Sequence, residues 1–473
     1  MLNPLLLVDT YKMSHMIMYP PDTTETYSYL EARKPNKKTV FYGLQYILQE
    51  YLHRGIWESD AKEFFKYYEQ ILGPVPSKVY KSILALTDLG YFPLEICSVD
   101  EGTVLDSQNV LITIRNIHPD FHWCVGFIES LLLKIWNPIT VATYSLTYKE
   151  LVTKLGKETC DNLEHIPFQV HDFGYRGVSS EETAMVSGSA HLLNFSGSDT
   201  VIANFFLDYY YNAWDDVKGL SVPASEHSVM CSYGRENEFE AFDQIMEIIP
   251  RGIVSIVSDT YDYWNVLTQY LPSRKESILK RDGKLVIRPD SGVPELIICG
   301  DPDAPEGSPE RKGSLNLLWE TFGGTINSKG YKVLDPHIGL IYGDGMYYER
   351  FEKILNTMKE MGFASSNIVI GVGGLLLQNH NRDELGFAVK ATKVIRDSTG
   401  PMEIFKDPKT DKSKRSKKGY MKLTQENGVF KTTDQLVDIE DKGLLKVRYL
   451  NGKMMNETNY REIKERINAY QDF

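Results

Sequence analysis

The chain has 473 residues, 42% of them hydrophobic and 25% charged, with a formal net charge of -12. That length calls for two intertwined domains or one large barrel with a satellite, and the composition excludes a disordered chain. A field this acidic attracts neither nucleic acid nor an anionic membrane, so any polyanion must be met by a local basic pocket.

The first 140 residues mix strand-like and helical runs. Apolar residues recur at helical spacing over 39–53, while 93–99 and 110–114 alternate like strands. From about 250 to 375 the pattern changes to short β-rich runs that each stop at Asp, Arg or Gly. Residues 252–257 run into Ser258-Asp259, and 284–287 into Arg288-Pro289-Asp290-Ser291-Gly292. Likewise 337–342 run into Gly343-Asp344-Gly345, and 367–371 into Val372-Gly373-Gly374. Helix-length segments separate most of them, which predicts βαβ units and a parallel sheet. Polar groups at the carboxyl ends of such strands are where barrels and open α/β sheets place their chemistry. A basic run, 406–419, carries seven Lys or Arg in fourteen residues, and the tail from about 420 reads as a small β-rich closing piece.

Five cysteines (Cys97, Cys124, Cys160, Cys231, Cys299) show no C-x-x-C spacing, which suggests free thiols in a reducing compartment. The apolar run 5–8 stops at Asp9 and is not a signal peptide. No apolar run approaches the roughly 18 residues of a membrane span. A cytoplasmic protein with no membrane or nucleic-acid partner is therefore expected. No Walker A loop, H-E-x-x-H or EF-hand loop is present, and Gly371-Val372-Gly373-Gly374 has Leu376 where a dinucleotide fingerprint needs its last glycine.

Several constellations remain. Gly373-Gly374 and Gly343-Asp344-Gly345 read as a phosphate cradle or as two ordinary turns. Asp259 and Asp290, at neighbouring strand ends, suit ribose hydroxyls or a pyrophosphate-bridging Mg²⁺, or salt bridges to Arg288 or Arg176. His171-Asp172-Phe173-Gly174-Tyr175-Arg176-Gly177 offers an aromatic face beside an arginine fork that matches phosphate oxygens. Ser225-Glu226-His227-Ser228 presents a histidine between small polar groups.

Together with residues 7–12, 19–21, 41–45, 138–143 and 405–408, these segments resemble the nicotinamide phosphoribosyltransferases, of the type II phosphoribosyltransferase family, in order and over nearly the whole chain. The resemblance implies an α/β chain. An irregular (β/α) barrel, 141–394, would carry the active site. A second mixed α+β domain would be formed by both chain ends, 1–140 plus 395–473. It also implies a homodimer with active sites at the interface. Phe173 and Tyr11 of the partner subunit would sandwich the pyridine ring. Asp199 would accept a hydrogen bond from the carboxamide, and Arg288 would contact the amide oxygen or the phosphoribosyl part. Asp290, Gly343, Asp344, Gly373 and Gly374 would hold the ribose phosphate. Arg176, Arg33, Arg382, Lys390, Lys406 and Lys414 would hold pyrophosphate or ATP phosphates. His227 would be phosphorylated by ATP, with Asp259, Asp290 and Arg288 completing the catalytic set, and Mg²⁺ would be held through pyrophosphate. The resemblance is imperfect in three places: a short loop after Arg33, Leu375 for a third glycine, and Ala388 for a serine. The same fold with an acid-binding pocket would make a nicotinate phosphoribosyltransferase, and a sugar-phosphate lyase or isomerase of barrel fold would also explain strand-end acids and glycines.

Overall fold

The computed structural model describes residues 2–410 and 415–471. The chain divides into two compact units. One comprises Met1–Thr143, Leu207–Trp214 and His380–Phe473; the other comprises Tyr144–Phe206 and Asp215–Asn379. The boundary expected at 394/395 falls earlier, because the strand Phe387–Arg396 pairs along its length with Thr23–Ala32, from Thr23 opposite Arg396 to Ala32 opposite Phe387. Leu207–Trp214 also belongs to the first unit.

The first unit is built on a seven-stranded sheet whose neighbours all run antiparallel. An inner strand, Thr23–Ala32, is buried on both faces over most of its length, with Tyr27, Tyr29 and Leu30 in the core. The expected strands appear as Leu94–Ser98 and Val110–Asn116. The helix expected over 39–53 is shorter. Lys38–Val40 instead pairs with Val104–Asp106, and the helix starts at Leu44, after Gly43 with a φ of 98°. The tail makes the hairpin Tyr420–Glu426/Val429–Leu436 but ends in a helix, Tyr460–Gln471, not in β structure alone.

The second unit carries five parallel strands: β1 (Val170–Asp172), β2 (Arg251–Val257), β3 (Asp282–Arg288), β4 (Ile338–Tyr342) and β5 (Ile368–Val372), in the order β1-β5-β4-β3-β2. Two bridging segments close the ring. Ser198 pairs with Asp172, Gly197 with Leu220, and Ala224 with Ser255, all parallel. The sheet therefore curls into an irregular barrel. Side chains along β3 alternate: Leu285 and Ile287 are buried, whereas Lys284, Val286 and Arg288 are only partly covered. This is the period-two signature of one face packed on helices and one facing the lumen.

One stretch among the described residues, Pro119–Thr159, is long enough and, over its most apolar 18 residues with a mean hydropathy of 1.3, apolar enough by composition to span a membrane. Polar residues such as Asn137, Thr140 and Thr143 interrupt it, so it holds no continuous apolar run of spanning length. Its most apolar window is 61% buried within the chain, as in a core helix.

Candidate active site

Every barrel strand ends in a short loop on the same side of the ring, and each loop is fixed by hydrogen bonds that free its functional side chain. After β1, the fully buried Asp172 accepts from the Gly174 N–H at 2.7 Å and from Ser198 Oγ at 3.1 Å. The Phe173 N–H then donates to the Val372 carbonyl at 2.7 Å, drawing the ring across the end of β5. Gly371 makes room for that ring, since a Cβ there would lie 2.1 Å from Phe173 Cδ2. No other residue fits under the ring at 371.

Asp259, whose side chain is 4% exposed, ties β2 to the loop after β3. Its Oδ2 accepts the N–H groups of Asp290 at 3.0 Å and Ser291 at 2.7 Å. His227 Nε2 lies 3.8 Å from Asp259 Oδ1 and 3.7 Å from Asp290 Oδ2, while its Nδ1 is 3.3 Å from Thr260 Oγ1. Arg288 Nε is 3.5 Å from Asp290 Oδ2. Burial pushes the Asp290 carboxyl up, against the pull of Arg288 and then with the push of Asp259, while His227 opposes and Asp344 adds to the rise. Asp259 Oδ1, Asp290 Oδ1 and Arg288 Nε are buried and find no hydrogen-bond partner among the described residues. Buried polar atoms rarely stay unsatisfied in a working protein, so these three mark a place where a polar ligand completes the site.

Across the mouth, Asp199 sits on the bridging segment next to β1. Its N–H donates to the Asp172 carbonyl at 2.9 Å, and its Oδ1 takes His171 Nε2 at 3.0 Å together with the Ser221 hydroxyl. Partial burial pushes this carboxyl up, but the His171 and Ser221 hydrogen bonds and the His171 and Arg288 charges outweigh it, and the net direction is down. The His171 ring also meets Phe173, with centroids 4.9 Å apart. Phe173, Asp199, Arg288, Asp290, Asp344 and Gly374 are among the residues that line one cavity of about 630 Å³, large enough for a nucleotide-sized ligand.

Two backbone approaches shape its floor. A Cβ on Gly374 would lie 2.7 Å from the Gly177 carbonyl oxygen, and one on Gly343 would lie 2.3 Å from Asp290 Oδ1. Gly345 has a φ of 63°, and its carbonyl accepts from Arg350 at 2.7 Å. Among the described residues no three His, Cys, Asp or Glu side chains converge on one metal position. Carboxylates with an unpaired oxygen nevertheless suit a hard cation that takes its other ligands from phosphate and water.

The barrel unit thus brings together Phe173, Arg176, Asp199, His227, Asp259, Arg288, Asp290, Gly343, Asp344, Gly373 and Gly374 around one mouth. The other expected residues lie in the first unit. Tyr11, 59% exposed on the turn Thr10–Ile17, has Lys12 Nζ 5.6 Å from its ring centroid. Arg33, Lys390, Arg382 and Lys406 gather there. Burial and the Arg33 charge push the Lys390 ammonium down against Glu129, with Lys406 and Arg382 adding to the effect. Lys414 lies outside the described residues. The sequence reading missed Ser221 and gave Thr260, Ser198 and Arg350 no role. Nothing local marks them, since their places follow from the parallel bridges and loop contacts.

Comparison with known proteins places this geometry. The profile described as "Nicotinate phosphoribosyltransferase (NAPRTase) family" matches residues 168–453, and "Nicotinamide phosphoribosyltransferase, N-terminal domain" matches residues 3–96. A protein named nicotinamide phosphoribosyltransferase from Acinetobacter baylyi is 39% identical, covering 98% of this chain and 97% of its own length. The chain belongs to the nicotinamide phosphoribosyltransferase family. A second relative of that name, from Xanthomonas campestris, is 35% identical over 99% of this chain and 98% of its own. The fold of this family member also matches the crystal structure of nicotinate-nucleotide pyrophosphorylase from Pyrococcus furiosus, with a TM-score of 0.59 at 14% identity, covering 99% of this chain and 95% of that one. Of the positions where the sequence was expected to depart from the family, Leu375 stands on the cavity wall and Ala388 is buried in the strand Phe387–Arg396.

Proposed function

We propose that this protein transfers the phosphoribosyl group of phosphoribosyl pyrophosphate to nicotinamide, giving nicotinamide mononucleotide and pyrophosphate in NAD salvage. The observation that carries this reading is the Asp199 carboxylate, held beside Phe173 on the wall of one cavity with Arg288 and Asp290. An ionised carboxylate accepts from a carboxamide N–H and repels the carboxylate of nicotinate.

Breaking the bond between the ribose anomeric carbon and pyrophosphate builds positive charge on the sugar and negative charge on the leaving group. Nicotinamide's ring nitrogen supplies the electron pair for the new C–N bond, so the protein provides no nucleophile and works by position and charge. Phe173 faces one side of the pyridine and Tyr11 of the partner subunit the other; an aromatic face also favours the pyridinium that forms. Asp290, Gly343, Asp344, Gly373 and Gly374 hold the ribose phosphate. By the family resemblance, Arg176, Arg33, Arg382, Lys390, Lys406 and Lys414 would hold pyrophosphate or ATP phosphates. Asp259 and Asp290, whose Oδ1 atoms find no partner among the described residues, would hold a Mg²⁺ that would neutralise charge on the pyrophosphate leaving group.

A homodimer fits the exposed apolar side chains of Val201, Phe205, Val217 and Leu220, which border the Asp199 segment. Asn204 binds Gly219 through both its N–H and its carbonyl, so the two stretches lie side by side. Exposed patches of this kind mark protein interfaces. Free cysteines fit work in the cytoplasm.

His227, between two carboxylates and half-exposed, is the residue that would take a phosphoryl group from ATP, with ADP leaving. In an assay of pyrophosphate release, the product is expected to require both nicotinamide and phosphoribosyl pyrophosphate, and ATP is expected to stimulate the rate. His227→Ala should retain part of the basal transfer and lose that stimulation. Full stimulation in the variant would remove His227 from the ATP step, and no release with either base would end the proposed function itself.

A further inference from the structure

Asp199 has two oxygens that are treated differently. His171 Nε2 at 3.0 Å and the Ser221 hydroxyl both reach Oδ1, and among the described residues Oδ2 has no hydrogen-bond partner. The backbone holds the side chain in place from below, through the Asp199 N–H on the Asp172 carbonyl and the Ser198 N–H on the Leu220 carbonyl at 3.0 Å. That second bond brings Ser221 alongside Asp199. The His171 ring is seated close against Gly197, where a Cβ would lie 2.7 Å from its Nδ1. With Asp199 ionised, Oδ1 can only accept, which assigns the ring proton to Nε2.

We propose that His171 and Ser221 are the specificity-determining pair behind Asp199: by saturating Oδ1 they lock the carboxyl in its acceptor-only form and leave Oδ2 to select the carboxamide over a carboxylate. This rests on the reading of Asp199 as the group that meets the base. The physical reason is that base choice depends on the charge state of Asp199, not merely on its presence. An ionised Asp199 faces nicotinate as acceptor against acceptor and charge against charge. A protonated Asp199 would donate a hydrogen bond to that same carboxylate and welcome it. Hydrogen bonds to the ionised form favour it. The downward direction of the Asp199 carboxyl agrees with this. The charged or titratable groups that face it are His171 and Arg288, and Arg288 alone would leave Oδ1 without a donor.

The test is the ratio of kcat/KM for nicotinamide to that for nicotinate, measured from pH 5 to 8 in the full-length enzyme. The wild type is expected to hold a flat ratio. Ser221→Ala, His171→Phe and the double variant are expected to accept nicotinate increasingly as the pH falls, with the double variant losing at least about tenfold in ratio at the acid end. Ser221→Thr and His171→Gln, which keep a donor, should return the ratio toward wild type, a rescue that a purely structural role does not give. Asp199→Ser is measured alongside. If it loses the preference while the double variant keeps a wild-type ratio and a flat profile, the pair has no role and this inference falls alone. If Asp199→Ser itself keeps the preference, the reading of the pocket falls and takes the pair with it.

Discussion

Asp199→Ser is expected to lower kcat/KM for nicotinamide by about 10- to 100-fold, the loss of one hydrogen bond to a charged group, worth about 1.5–3 kcal/mol. It is also expected to raise nicotinate turnover, because the like-charge contact that excludes the acid disappears with the carboxylate. The two changes work in the same direction, so the preference ratio should close by about 10²-fold or more. The mutation removes a half-exposed side chain on a bridging segment, and the backbone bond to Asp172 stays in place, so Tm should barely move. Parallel falls for both bases, with the ratio intact, would mean that Asp199 only supports the loop.

Gly371→Ala should be the most damaging conservative change in the barrel. The new methyl would lie 2.1 Å from Phe173 Cδ2 and 2.4 Å from Cε2, inside any permitted contact. Phe173 cannot retreat by sliding its backbone, because its N–H is bound to the Val372 carbonyl one residue from the mutation. The ring must swing off its platform, and the stack it provides to a flat heterocycle, worth about 1–3 kcal/mol, goes with it. The KM for nicotinamide is expected to rise roughly 5- to 150-fold, with a much smaller change in the KM for phosphoribosyl pyrophosphate. An unchanged KM for the base would show that Phe173 does not depend on Gly371 and does not stack.

The four barrel loops after β2 to β5 were legible in the sequence because each strand runs from β-rich apolar residues into Asp, Arg or Gly. The rest of the ring was not. β1 has three residues, and the segments through Gly197 and Leu220 pair by single bridges, too short for any periodicity to show. Ser221 was invisible for that reason: only the bridge beside it brings it to Asp199. The helix expected over 39–53 failed at its start because Thr39 and Val40 find strand partners in Leu105 and Val104, a tertiary choice that overrides local spacing. The cation cluster had a different obstacle. Arg33 and Lys390 lie hundreds of residues apart and meet because Tyr29 and Lys390 are partners in one antiparallel register. Resemblance to a family supplied those residues; spacing did not.

The most direct test is a competition. The purified protein is given phosphoribosyl pyrophosphate, Mg²⁺ and an equimolar mixture of nicotinamide and nicotinic acid, with and without ATP, and the mononucleotide formed is identified by mass. Nicotinamide mononucleotide as the dominant product is the result predicted by an ionised Asp199 on the cavity wall. Nicotinic acid mononucleotide as the dominant product would contradict it.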